Sequence, residues 1–430
     1  MADVTVQSPR RAESVPHTSN GDGPIPSLTG DIRHLVPKLG LRNYWYPAIG
    51  AKRVGKRNPV QLTMLGDVVC LFRGTNGEVA AIQDVCPHRG ALFSEGTCHW
   101  QGTVTCPYHG WVYDEHGKNV AVLGEGPDSG VQGKVGTEAK VYPTRTLKGV
   151  VFIWMGEDNP APIEEDVPEE FFDPDTRIFF NDTIYWKTNW EVGLENSMDA
   201  HVNYLHRDHL QAMLGNPTFM PRGASGSKVA FTGNGFKSLT KTPDNPPQDI
   251  YPELGWKWPK HRLRKFWSWI FNPFFKATSV PPSPTESERW TTGHRLPGMF
   301  RAGVVPVGSL EREPRPRGGG LFGLYTRWTV PVEDWLTRVW YFHSTKPSNS
   351  IVSAWYWLLY WTNYRWLTEY NFSQQDMSVM ENLRYDWPEK LSGTDAEVVQ
   401  WRRLVVTKHF GGRNAEFEHR LPVVTDSDGS

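Results

Sequence analysis

Two short segments concentrate the chemistry of this chain: Cys86-Pro87-His88 and Cys106-Pro107-Tyr108-His109. Cys-x-His followed by Cys-x-x-His supplies two thiolates and two imidazoles. A Rieske [2Fe–2S] cluster needs that set, with Cys86 and Cys106 on one iron and His88 and His109 on the other. Imidazoles are neutral where thiolates are anionic, which raises the reduction potential, so the expected chemistry is one-electron transfer. A structural zinc site accepts the same four donors, but zinc motifs usually pair Cys with Cys and His with His. Here each motif mixes the two. Pro87 and Pro107 stiffen the loops, while Gly90 and Gly110 permit tight turns close to bridging sulfides.

A second constellation lies in Glu195-Asn196-Ser197-Met198-Asp199-Ala200-His201-Val202-Asn203-Tyr204-Leu205-His206. A mononuclear non-haem Fe(II) site takes two His and one carboxylate on one face and leaves the other open for O₂. His201 and His206 are spaced by slightly more than a helical turn, so a helix there must loosen to aim both rings at one metal. His209 competes, because it shares a helix face with His206. Histidines at such spacing are more often exposed helix residues. The upstream cluster motifs favour ligands, since a relay cluster needs an acceptor. The third ligand is expected at Asp376, a lone acid in the run from Phe372 to Met380, where a buried carboxylate without a cation is costly. Glu369 and Glu381 are its competitors.

The elements that position these residues change character along the chain. Residues 40–155 read as mostly β. Strands are expected at Pro59–Leu65, Asp67–Arg73, Val79–Val85, Gly102–Cys106, Trp111–Asp114 and Val150–Met155, with a hairpin turn at Asn76-Gly77. The ligand motifs thus fall on loops at strand ends. After the Pro- and acid-rich stretch Asn159–Pro174, a strand is expected at Thr183–Trp190 and helical spacing over Glu191–Leu210. Segments 215–235, 245–260 and 311–320 read as loops. Strands are expected at Leu324–Val330 and Thr337–His343, one long helix or two over Trp355–Trp387, and a last helix at Ala396–Lys408.

The 430 residues suit two domains, and a net charge of −1 gives no general pull toward nucleic acid or membrane. With four Cys, two of them in the motifs and Cys70 in an apolar run, the usage fits a reducing cytoplasm. Residues 1–28 read as a disordered tail rather than a signal peptide. No stretch reaches the about 18 apolar residues of a transmembrane helix. The chain has 20 Trp, and its aromatic residues cluster at 266–275 and 355–361. Core packing, a subunit interface, an apolar substrate channel and a membrane-touching lip are all readings of these segments, the last because basic residues stand beside the aromatic run at 266–271.

Over roughly residues 42–408 the chain resembles the α (terminal oxygenase) subunit of the Rieske non-haem iron ring-hydroxylating oxygenases. The likeness rests on Asn43-Tyr44-Trp45-Tyr46-Pro47, on the two cluster motifs with Arg89, Gly90, Gly110 and Trp111, and on Asn189-Trp190 leading into Glu195-Asn196 and Asp199. Within the family it is similar to the carbazole dioxygenase type in Tyr204–Asp208, Leu296–Gly298, Gln375-Asp376 and Trp401–Leu404. It shares the His-x-Asn-aromatic-Leu-His pattern with the phthalate dioxygenase type.

The resemblance implies an α+β chain: an N-terminal all-β Rieske domain over 41–158 and a C-terminal helix-grip catalytic domain over 159–410. Residues 1–40 would be a tail and lead-in, and 411–430 a tail. It also implies a homotrimer in which the cluster of one subunit serves the mononuclear iron of its neighbour. Asp199 matches the family's bridging Asp. Only Ala200 separates it from His201, one residue fewer than the family usually has. The implied ligands of the mononuclear Fe(II) are His201, His206 and Asp376. The implied activity is O₂ activation and mono- or dihydroxylation of a bulky apolar, aromatic or polycyclic substrate. Electrons would come from NAD(P)H through a separate reductase or ferredoxin, since the chain has no Gly-rich dinucleotide fingerprint. Exposed Arg89 and Lys118 are candidates for docking that donor. O- or N-demethylation and steroid or terpenoid monooxygenation use the same metal sites. A Rieske electron carrier without oxygenase activity is the rival of another class. A respiratory Rieske subunit is excluded by Ala91 and Tyr108, which stand where that type has its bracing Cys pair.

Overall fold

The computed structural model describes residues 32–157, 159–199, 205–206, 229–232, 235–238, 293–303, 324–347, 349–385, 387–392 and 395–411. Runs of β-branched and aromatic residues favour strands, and the first half is built from ten: β1 (Trp45–Gly50), β2 (Val60–Met64), β3 (Asp67–Arg73), β4 (Val79–Gln83), β5 (Thr103–Thr105), β6 (Trp111–Asp114), β7 (Asn119–Val122), β8 (Val141–Tyr142), β9 (Thr144–Leu147) and β10 (Val150–Trp154). They form three antiparallel sheets ordered β1-β10-β9, β2-β3-β4-β8 and β5-β6-β7. β3 and β4 meet through the expected turn. Gly77 takes a φ of +82°, and Asn76 Oδ1 accepts from the Glu78 amide at 2.9 Å.

The second half is organised by β11 (Arg177–Trp186), β12 (Val229–Thr232), β13 (Gly235–Ser238), β14 (Gly293–Arg295), β15 (Met299–Gly303), β16 (Leu324–Glu333) and β17 (Leu336–Thr345). They make one antiparallel sheet in the order β11-β17-β16-β15-β14-β13-β12. Helix α1 (Trp190–Glu195) follows β11 directly. Asn189 caps it, its Oδ1 accepting from the Glu191 amide at 3.0 Å while its amide reaches the Lys38 and Asp334 carbonyls.

A continuous helical run follows the sheet: α2 (Ser350–Leu359), π-helical turns at Tyr360–Tyr364 and Trp366–Phe372, and α3 (Ser373–Met380). Helix α4 (Ala396–Gly411) is the last described element. The second region is therefore a mixed helix and antiparallel-sheet unit, and the architecture is α+β.

The large core holds Trp45 and Trp154 from the first half together with Trp190, Trp328, Trp340 and Trp401 from the second. Polar bonds reinforce the junction. Asp182 accepts from the Gly50 amide and pairs with Arg53, each at 2.9 Å, and Arg338 donates to the Ala48 carbonyl at 2.6 Å. A separate cluster of Cys70, Phe72, Ile82, Phe93, Val104 and Tyr113 surrounds Cys86 and Cys106.

Several expectations shift. The strand expected at Thr183–Trp190 runs from Arg177 to Trp186 instead, because its pairing with β17 begins at Arg177. Residues 229–232, expected as loop, pair with β13 as a strand. Helical spacing over Glu191–Leu210 yields α1 and then a turn at 196–198; of residues 200–210 only Leu205 and His206 are described, and both are helical. The tail at 1–28 and the segments 245–260, 266–275 and 311–320 lie outside the described residues.

Candidate metal centres

The two cluster motifs fold into matching loops. In the first, the Gly90 amide donates to the Cys86 carbonyl at 2.9 Å and the Cys86 amide to the Ala91 carbonyl at 2.8 Å. In the second, Gly110 donates to Cys106 at 3.2 Å and Cys106 to Trp111 at 2.8 Å. Gly110 has a φ of +67°, and a Cβ there would stand 2.9 Å from that of Leu123, so only glycine closes this loop without strain.

The loops sort their donors by depth. Cys86 and Cys106 are 1% and 3% exposed, whereas His88 is exposed and His109 half-buried. The imidazoles meet edge to face with centroids 4.5 Å apart, and His88 stacks on Trp111 at 4.6 Å. Burial pushes the Cys86 thiol up to about 11, so this sulfur becomes a thiolate when a cation binds it. Burial and the neighbouring Cys86 also raise the pKa of Tyr113, keeping that ring neutral beside the sulfur. Desolvation, His88 and Arg89 lower the pKa of His109, favouring the neutral imidazole that a metal requires.

Two buried sulfurs behind two outward imidazoles fit a two-iron cluster whose histidine edge faces solvent. Among the described residues no three His, Cys, Asp or Glu group around a single ion position. Arg89, over the Tyr108 ring, and Lys118 are both exposed.

The second site lies inside the sheet-and-helix region. His206 and Asp376 are 0% and 1% exposed, with His206 Nε2 3.2 Å from Asp376 Oδ1. His206 Nδ1 lies 3.0 Å from Gln375 Oε1, and the ring stacks on Phe372 at 3.6 Å. Asn196 Nδ2 donates to Asp376 Oδ1 at 3.3 Å. An Nδ1–H donated to Gln375 Oε1 would leave Nε2 as a lone pair on the side of Asp376. Nε2 and Asp376 Oδ1, 3.2 Å apart, suit two donors converging on one divalent metal. The helix reaches Asp376 through π-helical turns, irregularities frequent at functional sites.

The structure separates the carboxylate candidates. Glu369 is buried in its own network, accepting from Asn181 and Tyr360 at 2.8 Å and meeting His343 Nε2 at 3.2 Å. Glu381 is exposed. Asp199 is half-buried, shortly after α1. His201 and His209 lie outside the described residues.

Sequence reasoning missed several polar residues near this site. His294 sits 2.9 Å from Ser197 Oγ, and burial followed by the charge of Arg327 pushes it down to about 3, so it stays neutral. Arg327 donates to the Gly193 carbonyl at 3.0 Å. Glu191 and Glu195, on α1, join Arg402, Arg33, Tyr385 and Glu389 in a mostly buried charged cluster. Carboxylates four apart in an otherwise apolar helix were the available signal.

The chain matches two family models: "Rieske [2Fe-2S] domain" at residues 44–132 and "Homotrimeric ring hydroxylase" at 154–224. It is 37% identical over 193 residues to the terminal oxygenase component of carbazole 1,9a-dioxygenase from Sphingomonas sp, covering 44% of this chain and 49% of that one. It is 32% identical over 199 residues to the oxygenase subunit of 3-chlorobenzoate-3,4-dioxygenase from Comamonas testosteroni, covering 43% and 44%. These matches span about half the length of those relatives. In structure it is similar to the terminal oxygenase of carbazole 1,9a-dioxygenase from Nocardioides aromaticivorans IC177. There the TM-score is 0.69 at 26% identity, covering 89% of this chain and 98% of that one.

A Rieske [2Fe-2S] match at residues 44–132 followed by a ring-hydroxylase match at 154–224 makes the chain similar to the α subunits of Rieske non-haem iron oxygenases.

Proposed function

We propose that this protein is the terminal oxygenase of a multicomponent system that hydroxylates an apolar aromatic substrate. The observation that carries the reading is the sealed juxtaposition of His206 and Asp376 at 3.2 Å, in a chain that also presents the Cys/His loops. Cys86 and Cys106 would hold the buried iron of the cluster, and His88 and His109 the outer one. His206, Asp376 and His201 would hold the mononuclear iron. When bound, the cluster supplies single electrons and the mononuclear iron activates dioxygen for insertion into the substrate.

The protein's own groups position these parts. His88, backed by Trp111, and His109 present the cluster's outer edge where a partner can approach. Asn196 steadies the Asp376 carboxylate. Asp199, between α1 and His201, would couple the two metal sites, joining the cluster of one subunit to the iron of its neighbour. A trimeric assembly is supported by the homotrimeric ring-hydroxylase model. The Sphingomonas relative is described as a terminal oxygenase component, which supports a separate ferredoxin or NAD(P)H reductase as donor. Carbazole and chlorobenzoate, in the relatives' names, favour an aromatic substrate. No helix among the described residues is long and apolar enough to cross a membrane. Four free cysteines favour a cytoplasmic location.

The test is iron analysis with product analysis on the full chain. An oxygenase carries about three irons per chain and converts members of a panel of polycyclic aromatics, sterols and methyl ethers. A content of about two irons with no product identifies an electron carrier instead.

A further inference from the structure

We infer that Gln375 is a positioning residue for the mononuclear metal, its side-chain carbonyl selecting the tautomer of His206 that leaves Nε2 bare toward Asp376. The inference rests on the assignment of His206 and Asp376 as metal ligands. It adds a residue that never touches the metal.

Among the described residues, three contacts hold the imidazole. Gln375 Oε1 lies 3.0 Å from Nδ1, the Phe372 ring lies against one face at 3.6 Å and 17°, and Asp376 Oδ1 faces Nε2 at 3.2 Å. All three partners come from one short stretch, from the end of the π-helical turns into α3. Gln375 and Asp376 are sequence neighbours that reach different nitrogens of the same ring, so the helix grips His206 along its Nδ1–Nε2 edge.

The amide decides what the imidazole can do. With its carbonyl toward the ring, Nδ1 is protonated and Nε2 is a lone pair. With its NH₂ toward the ring, Nδ1 would be the acceptor and Nε2 would carry the proton, so it could not bind a metal. A carboxylate at this position would also accept from Nδ1, and would make the ring a stronger donor. An apolar side chain would leave the tautomer unset. Groups that orient a metal-bound His in this way typically contribute 10- to 100-fold to metal affinity.

The test uses the full chain with its cluster, its mononuclear site emptied and titrated with Co(II), whose d–d bands report coordination directly. Gln375→Met should weaken Co(II) binding by about 10- to 100-fold, with the Rieske visible and EPR spectra unchanged. Gln375→Glu, which keeps the acceptor, should restore the binding. Wild-type affinity and bands in Gln375→Met overturn the inference, and so does an equal loss in Gln375→Glu. His206→Ala separates the two levels: if it still binds Co(II) as the wild type does, the site assignment fails, not merely the role of Gln375.

Discussion

Arg402 grips Glu195 through two parallel hydrogen bonds, Nε to Oε1 at 2.6 Å and Nη2 to Oε2 at 2.7 Å. The pair ties the last helix, α4, to α1, whose continuation carries Asn196 and Asp199. Arg402 also holds Glu389, which Arg33 meets at 2.8 Å. The proposed mononuclear site is thereby anchored to both ends of the described chain.

Removing that guanidinium strands buried carboxylates. Arg402→Ala is expected to cost about 3–5 kcal/mol, the usual penalty for leaving a buried charge unpaired. Urea denaturation of the holoprotein measures it. A loss under about 1 kcal/mol would mean the pair is no more than a surface bridge.

Glu191 gives the same cluster a pH dependence. Burial and then Glu195 push its carboxyl from the usual 4.5 up to about 8, against the opposing contacts with Tyr385, Arg402 and Arg33. The folded state holds the proton more tightly than the unfolded chain. The stabilisation is therefore fully present below about pH 4.5 and is lost as pH rises toward 8, on the order of a few kcal/mol. Glu191→Gln should flatten this slope. Denaturation midpoints at pH 5 and pH 8.5 compare the two, and the variant should gain on the wild type only at the higher pH.

The chain's many Trp divide by depth. Trp190 is fully buried and donates to the Pro37 carbonyl at 2.9 Å, whereas Trp355 is 55% exposed on α2, a helix with no buried residue. Trp190→Ala should cost about 3–5 kcal/mol. Trp355→Ala should stay within about 0.5 kcal/mol. Thermal unfolding of the two variants checks the contrast.

The proposed cluster ligands define a fourth expectation. Cys106→Ser should abolish the visible and EPR signature of the cluster and remove about two irons per chain, leaving about one. Unchanged iron content would place the cluster elsewhere.

Much of this was legible in the sequence. Asp67–Arg73 and Trp111–Asp114 have the extents their residue types predict, because apolar runs bounded by turn residues specify strands locally. The cluster motifs were legible because both Cys and both His lie within short loops. Asp376 stood out as a lone acid, but only packing separates it from Glu369, which is equally buried and spoken for by Asn181, Tyr360 and His343. The pairing of Arg402 with Glu195 was not legible, since the two are 207 residues apart and meet only in the tertiary fold. The π-helical turns before Asp376 carry no periodic signature that distinguishes them from an α-helix.

The most direct test of the central claim is a single turnover. Chemically reduced protein, with both metal sites loaded, is mixed with O₂ and a polycyclic aromatic, and product and cluster oxidation are followed together. The wild type should form hydroxylated product as its cluster reoxidises. His206→Ala should keep the cluster spectrum and form none. Equal product from His206→Ala, or cluster reoxidation without product in a wild type offered the full aromatic panel, would contradict the account.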